Sequence, residues 1–256
     1  MNTFNLAYHT DVGIKKRTNQ DSLLINGLSI DTGECVLLVL CDGMGGMEKG
    51  ELASATVVRA YSEWFKTIYV RKPNKWDTEQ IKREWMDLLV DCNKKLQLYG
   101  SNENVQLGTT ATALLINATG EYLIGHVGDS RVYKICEQLK QLTEDHTFVA
   151  KEITKGTMTK EQAQKDTRRN VLLQCVGVND YLSPQFLQGV VRSGEAFLVC
   201  SDGFRHEVSE VELLEYLDPE KLSNDNDIKQ ILIQLTEMNK QRNETDNISA
   251  IYIKRL

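Results

Sequence analysis

The sequence predicts an α+β protein, and three observations carry that prediction. Short apolar or alternating runs recur along the whole chain, about ten of them reading as strands. Two stretches between them place apolar residues at three- and four-residue steps, the spacing of helices with one buried face. Aspartates stand where several of the apolar runs stop.

With 256 residues, 41% hydrophobic and 26% charged, the chain can bury a sizeable core, and a single domain over 1–256 is expected. Three prolines and no Pro/Gly/Ser-rich linker mark no boundary, and no fixed-period repeat is present. The net charge of -6 argues against nucleic acid as a partner. No apolar run is long enough to cross a bilayer, and MNTFNLAYHTD lacks a charged-then-apolar leader. No membrane association and a cytoplasmic location are therefore expected. The six cysteines (35, 41, 92, 136, 175 and 200) lack the paired close spacing of zinc sites, which fits a reducing setting.

In order, Phe4–His9, Asp21–Asn26 and Val36–Cys41 read as strands, with a polar loop carrying Lys15, Lys16 and Arg17 between the first two. The third run stops at Asp42, before Gly43, Gly45 and Gly46. From Leu52 the residues Ala55, Val58, Tyr61, Phe65 and Ile68 define one helix. Trp85, Leu88, Cys92, Leu96 and Tyr99 define a second, with Asp77 and Gln80 as a capping pair. Pro73 and Asn74 separate the two, so they should pack antiparallel. Thr109–Asn117, Tyr122–Val127 and Arg131–Ile135 read as strands, with Gly128-Asp129-Ser130 as a turn or bulge in a hairpin series. Thr143–Asn170 is a long polar excursion with a short helix capped by Thr159 and Gln162, and such excursions are often mobile functional loops. Glu195–Cys200 is another apolar run, and it ends in Ser201-Asp202-Gly203. Helices follow from the Ser209/Glu212 capping box and through Ile228, Ile231, Leu235 and Met238. Asp246-Asn247 then leads into the strand Ile248–Ile253. The total is four helices and about ten strands, with sheets that need cover on their outer faces.

Five aspartates, 21, 42, 129, 202 and 246, thus sit at strand boundaries. A single Asp-Gly after a strand is an ordinary turn. The repetition of LVLCDG as FLVCSDG points instead to a cluster. Carboxylates without neighbouring Cys or His favour hard ions such as Mg²⁺, Mn²⁺ or Ca²⁺. A bridging acid can hold two such ions about 3.5–4 Å apart to clamp a phosphoryl group. Glycines after Asp42 give the backbone the freedom that a bridging ligand needs, and Lys16 or Arg17 could neutralise a phosphate.

The segments GIKKRTNQD (13–21), LCDGMGGMEKGELAS (40–54), GTTATA (108–113), HVGDSRVY (126–133), LTEDH (142–146), NVLLQCVG (170–177), LVCSDGF (198–204) and DNISAIYI (246–253) occur in this order. Together they resemble the bacterial metal-dependent protein serine/threonine phosphatases of type 2C. The resemblance implies a four-layer α-β-β-α sandwich, two antiparallel sheets flanked by helix pairs, with two Mn²⁺ or Mg²⁺ ions at one end. It implies that Asp42 bridges the ions, Asp202 and Asp246 hold the first, and the Gly43 carbonyl and Asp21 serve the second. Asp129 with Asp202 would form a third, weaker site, Asn247 would support Asp246, and residues 143–170 would form a flap. A hydroxide bridging the ions would attack phosphoserine or phosphothreonine in proteins that a bacterial serine/threonine kinase has modified, and the phosphatase would act as a monomer.

Three places depart from the family pattern. Lys16 stands where relatives usually carry a phosphate-gripping arginine, with Arg17 next to it. Met44 replaces the histidine proposed as general acid in the animal enzymes, leaving His126, His146, His206 or an ion-bound water for that role. Phe204-Arg205-His206 replaces the usual leucine-threonine-aspartate. Two other readings remain: a weak or inactive phosphoprotein-binding regulatory module on the same fold, and a metal-dependent nuclease. Retention of Asp42, Asp202 and Asp246 weighs against the first, and the acidic charge weighs against the second.

Overall fold

The computed structural model describes residues 3–31, 33–44, 49–71 and 76–256. Gly45, Gly46, Pro73 and Asn74, singled out above, lie outside the described residues. Ten strands form two five-stranded sheets in which every pairing is antiparallel. One sheet contains β1 (Phe4–Asp11), β6 (Arg131–Ile135), β7 (Leu139–Gln141), β9 (Ala196–Cys200) and β10 (Ile248–Arg255), in the order β1-β10-β9-β6-β7. The other contains β2 (Ser22–Ile30), β3 (Gly33–Cys41), β4 (Ala111–Ile116), β5 (Glu121–Val127) and β8 (Gln185–Val190), in the order β2-β3-β4-β5-β8.

The apolar runs are apolar because both of their faces are covered. Along β3, Cys35, Leu37, Val39 and Cys41 face a core shared with α1 (Gly50–Thr67) and α2 (Thr78–Glu103). The alternate residues Val36, Leu38 and Leu40 face a second core between the sheets, with Phe197, Val199, Ile251 and Ile253 from the opposite sheet. A third core lies outside that sheet, where Leu198, Ala250 and Tyr252 meet Leu213 of α6 (Glu210–Tyr216) and Ile228, Leu232 and Leu235 of α7 (Asp225–Gln241). Helix pair, sheet, sheet, helix pair is the four-layer arrangement that the resemblance implies. Period-two alternation between two apolar environments leaves no polar face in the central strands.

The helix signals act as read. Asp77 accepts from the Gln80 N–H, and Thr159 and Ser209 form complete capping boxes with Gln162 and Glu212. Trp85 of α2 meets Tyr61 and Trp64 of α1 edge-on, with ring centroids 5.3 and 5.5 Å apart. Lys49, at the start of α1, reaches the Tyr99 hydroxyl near the end of α2 at 2.7 Å, so the pair is antiparallel.

One turn differs from its reading. Gly128-Asp129-Ser130 does not close a hairpin; it carries the chain from β5 in one sheet to β6 in the other. Turn-forming residues specify a local bend, and the bend alone does not say which sheet receives the next strand. The edge strands β7 and β8 escaped the sequence reading because their half-exposed, polar-interrupted patterns resemble loops. The short helices α3 (Phe148–Thr154) and α5 (Asp202–Arg205) escaped it as well, whereas α4 (Lys160–Lys165) is the helix expected after Thr159.

Trp85 is fully buried and fills the space left by Gly125 beneath it. Trp85→Ala is expected to cost about 3–5 kcal/mol of stability. Denaturant unfolding would show this as a lower midpoint at unchanged slope, and an unmoved midpoint would mean that the helix pair does not depend on this contact.

Candidate metal centre

Strand register brings the acids to one end. Ser22 pairs with Cys41, so Asp21 and Asp42 leave adjacent strands side by side. In the other sheet Ala250 and Arg131 both pair with Cys200. Asp246, Asp129 and Asp202 therefore lie just beyond the same end of β10, β6 and β9. Asp42, Asp129 and Asp202 follow apolar runs, whereas Asp21 and Asp246 stand at the entrances of strands, so the shared signal is an aspartate at a strand boundary.

Asp42 occupies the middle of the group. Its N–H donates to Thr110 Oγ1 at 2.8 Å, and its carbonyl accepts from the Thr110 N–H and the Thr109 hydroxyl, each at 2.9 Å. Burial pushes its carboxyl well above the usual range, and the charges of Asp21, Asp202, Asp129 and Asp246 push it further. Burial likewise raises Asp21 to about 7; the Ser249 and Ser201 hydroxyls oppose the rise, while Asp202 and Asp246 add to it. Those hydroxyls lie near Asp21 without making hydrogen bonds of ordinary geometry, because both Asp21 carboxylate oxygens are buried and unpartnered among the described residues. Asp202 Oδ1 is in the same condition. Burial also raises Asp129 to about 7, helped by Asp202 and opposed by Arg205.

Buried oxygens with no donor are costly, and a hard divalent ion is the partner that suits them. The residues therefore fit Mg²⁺ or Mn²⁺. Among the described residues, no three acids already stand close enough together to hold an ion.

The backbone around the acids is packed tightly. The Gly43 N–H donates to the Gln20 carbonyl at 3.2 Å, and a Cβ at Gly43 would stand 2.5 Å from the Gln20 and Gly50 carbonyl oxygens. At Gly203 a Cβ would collide with the Asn247 carbonyl oxygen, so only glycine lets α5 approach the Asp246-Asn247 strand entrance. Asn247 is a junction that the sequence reading placed only as a support for Asp246. Its Oδ1 accepts from the Gln20 N–H at 2.9 Å, and its Nδ2 donates to the carbonyls of Val12 and Thr18 at 2.9 and 3.2 Å. It thereby pins the loop that carries Lys16.

Of the two basic candidates, Lys16 reaches the site, with Nζ 2.9 Å from Asp246 Oδ1. Arg17 is exposed and forms no ion pair with the acids among the described residues. Met44, whose N–H donates to the Gly108 carbonyl at 3.1 Å, has no proton to give. His126 is fully buried, with Nε2–H donating to the Glu144 carbonyl at 3.2 Å and Nδ1 accepting from Thr112 at 2.9 Å. Burial and the neighbouring His146 hold it down at about 3, so it stays neutral and structural. His146 accepts from the Gly128 N–H at 3.2 Å, and its main chain joins Gly128 and Leu173, anchoring the 143–170 segment at the acid end. His206 lies between Asp202 Oδ2 at 3.6 Å and Glu244 Oε2 at 3.2 Å. Burial pulls its pKa down, but the bond to Glu244 and the charge of Asp202 more than offset this and leave it raised. Both of its nitrogens are engaged by carboxylates, so it is poorly placed to protonate a leaving group.

The sequence pattern of the family described as protein phosphatase 2C matches residues 13–251. The serine/threonine phosphatase stp of Listeria monocytogenes serotype 4b (strain F2365) is 30% identical over 253 residues, 97% of this chain and 94% of that protein. The crystal structure of the serine/threonine phosphatase Stp1 from Staphylococcus aureus superposes with a TM-score of 0.85 at 27% identity, over 98% of this chain and 94% of that one. The catalytic domain of the serine threonine protein phosphatase PstP, in complex with 2 manganese ions, gives 0.79 at 25% identity, over 98% and 97%. The fold and the row of acids define a phosphatase-type sandwich. The chain belongs to the protein phosphatase 2C family.

Two predictions follow from the geometry. Asp21 and Asp129 titrate near 7 when folded against an ordinary 3.8, so from about pH 4 to 7 the folded protein holds protons that the unfolded chain has released. Their contribution to stability is complete below that window and is lost as pH rises through it. In chelator, the thermal midpoint of Asp21→Asn should fall less across the window than that of the wild type, and equal falls would mean that Asp21 ionises freely. Asn247→Ala removes three hydrogen bonds to the Lys16 loop and should cost about 2 kcal/mol. It should raise KM for a phosphopeptide more than it lowers kcat, and unchanged KM would detach the loop from substrate binding.

Proposed function

We propose that the chain, as one phosphatase domain over 1–256 with a flap at about 143–170, hydrolyses phosphoserine and phosphothreonine in proteins using two Mn²⁺ or Mg²⁺ ions. The observation that carries this reading is the set of buried, unpartnered oxygens on Asp21 and Asp202 beside the crowded Asp42. Asp42 would be shared between the ions, Asp202 and Asp246 would complete one site, and Asp21 with the Gly43 carbonyl would serve the other. When bound, the ions supply an acidified water as nucleophile and positive charge for the phosphoryl oxygens. Lys16, now on Asp246, is within the same end of the sandwich and would hold the phosphate as a point charge rather than a fork. Family membership, the absence among the described residues of a helix long and apolar enough to cross a membrane, and the acidic charge all suit cytoplasmic phosphoproteins as substrates, with a bacterial serine/threonine kinase as opponent and the enzyme a monomer.

The contact of Lys16 with Asp246 is the one feature that favours a weak or inactive phosphoprotein-binding module, since a ligand carboxylate already has a cation. Hydrolysis of a small aryl phosphate and a phosphothreonine peptide, with Mn²⁺ and with chelator, separates the two readings. Release that depends on Mn²⁺, reduced roughly a hundredfold or more in Asp202→Asn, is expected. Folded protein that binds the peptide without release in Mn²⁺ would establish the binding module instead.

A further inference from the structure

The surroundings of Asp129 and Asp202 already contain the protein's own cations. Arg205, at the end of α5, donates from Nη2 to the Asp129 carbonyl at 3.1 Å, and the same nitrogen lies 3.6 Å from Asp145 Oδ2. Its side chain is only 11% exposed, and its Nε–H has no partner among the described residues. Asp145 is held from the other side by Arg131, Nε to Oδ1 at 2.8 Å and Nη2 to Oδ2 at 2.7 Å. Next along the chain, His206 stands between Asp202 and Glu244. Where the resemblance pairs Asp129 and Asp202 around a weaker third ion, this chain has a buried guanidinium on the Asp129 main-chain carbonyl and an imidazole beside the Asp202 carboxylate.

We propose that Arg205 takes the charge position of a third divalent ion, so that the centre binds two ions and Asp129 is not an ion ligand. This rests on the two-ion reading above. A guanidinium cannot shed its proton to admit a cation, as a lysine or histidine could. Nor can it swing aside without giving up the Asp129 carbonyl and stranding a buried donor. It also makes a mechanical connection. Asp145 immediately precedes His146, whose main chain joins Gly128 and Leu173. Arg205 thus ties α5, which begins at Asp202, to the root of the 143–170 segment. Arg205 is in these terms a positioning residue.

The test counts Mn²⁺ ions on the full chain by equilibrium dialysis into the millimolar range and by anomalous diffraction. Wild type and Asp129→Asn should both hold two. The double variant Arg205→Thr/His206→Asp should hold three, and adding Asp129→Asn to it should return the count to two. Three ions on the wild type, with one lost in Asp129→Asn, would overturn the assignment of Arg205 while leaving the two-ion reading intact. A folded double variant that still holds two would overturn it also. Fewer than two ions on the wild type would overturn the two-ion reading itself. Should the double variant fail to fold, the comparison of wild type with Asp129→Asn decides the question alone.

Discussion

The crowding of five aspartates at one end of the sandwich is the constraint that the rest of the structure has to withstand. The protein meets it by fixing main chains while leaving both Asp21 carboxylate oxygens and Asp202 Oδ1 unsatisfied among the described residues. Thr110 brackets Asp42 by both its amide and its hydroxyl, and the Thr110 hydroxyl is tied in turn to Ser130 at 2.8 Å. Ser54 donates to the Gln20 carbonyl at 2.6 Å, next to Asp21. Ser201 and Ser249 cross-link the exit of β9 to the entrance of β10, with the Ser249 N–H donating to Ser201 Oγ at 3.0 Å. Small hydroxyl side chains can satisfy backbone groups in a crowded space without adding charge, which explains why they surround the acids. Burying unpartnered carboxylates is expensive, and the three apolar interiors that grip both faces of the central strands offset that cost.

Rigid elements hold the acids, whereas a loop holds Lys16. That division has a chemical reason. Ligands for a hard ion must keep their spacing, so strand ends suit them. If Lys16 holds the phosphate as proposed, it has to follow phosphates on different protein partners, and a long flexible stem suits that role. Asn247 reconciles the two demands by tying the loop at Val12, Thr18 and Gln20 while leaving the Lys16 side chain between those anchor points.

The acids were legible in the sequence because an aspartate at the boundary of an apolar run is a local pattern. The same is true of Asp77, Thr159 and Ser209, whose caps act over three residues. What escaped is non-local. Asn247 bonds to residues more than 200 positions away, Arg205 meets Asp129 and Asp145 across the sheet, and Gly128-Asp129-Ser130 looks like a hairpin turn until the sheet that receives β6 is known. The polar edge strand β8 fails for a different reason: with one side open to solvent it lacks the apolar alternation that identifies a strand. Lys16 and Arg17 could not be ranked from sequence, because adjacent residues on a loop differ only in where the loop aims them.

The row of acids therefore ends in two cations of unlike character. Lys16 sits on Asp246 with a quarter of its side chain exposed, on a loop, and its ammonium can exchange one carboxylate for another anion at little cost. Arg205 is buried, doubly engaged and permanently charged. An ion bound as proposed would compete with the first and be repelled by the second. Loading the centre would thus free Lys16 toward the phosphate while leaving Arg205 and the segment root it holds in place. On the proposed reading, the two departures from the family pattern would have separate consequences, one for substrate capture and one for the number of ions.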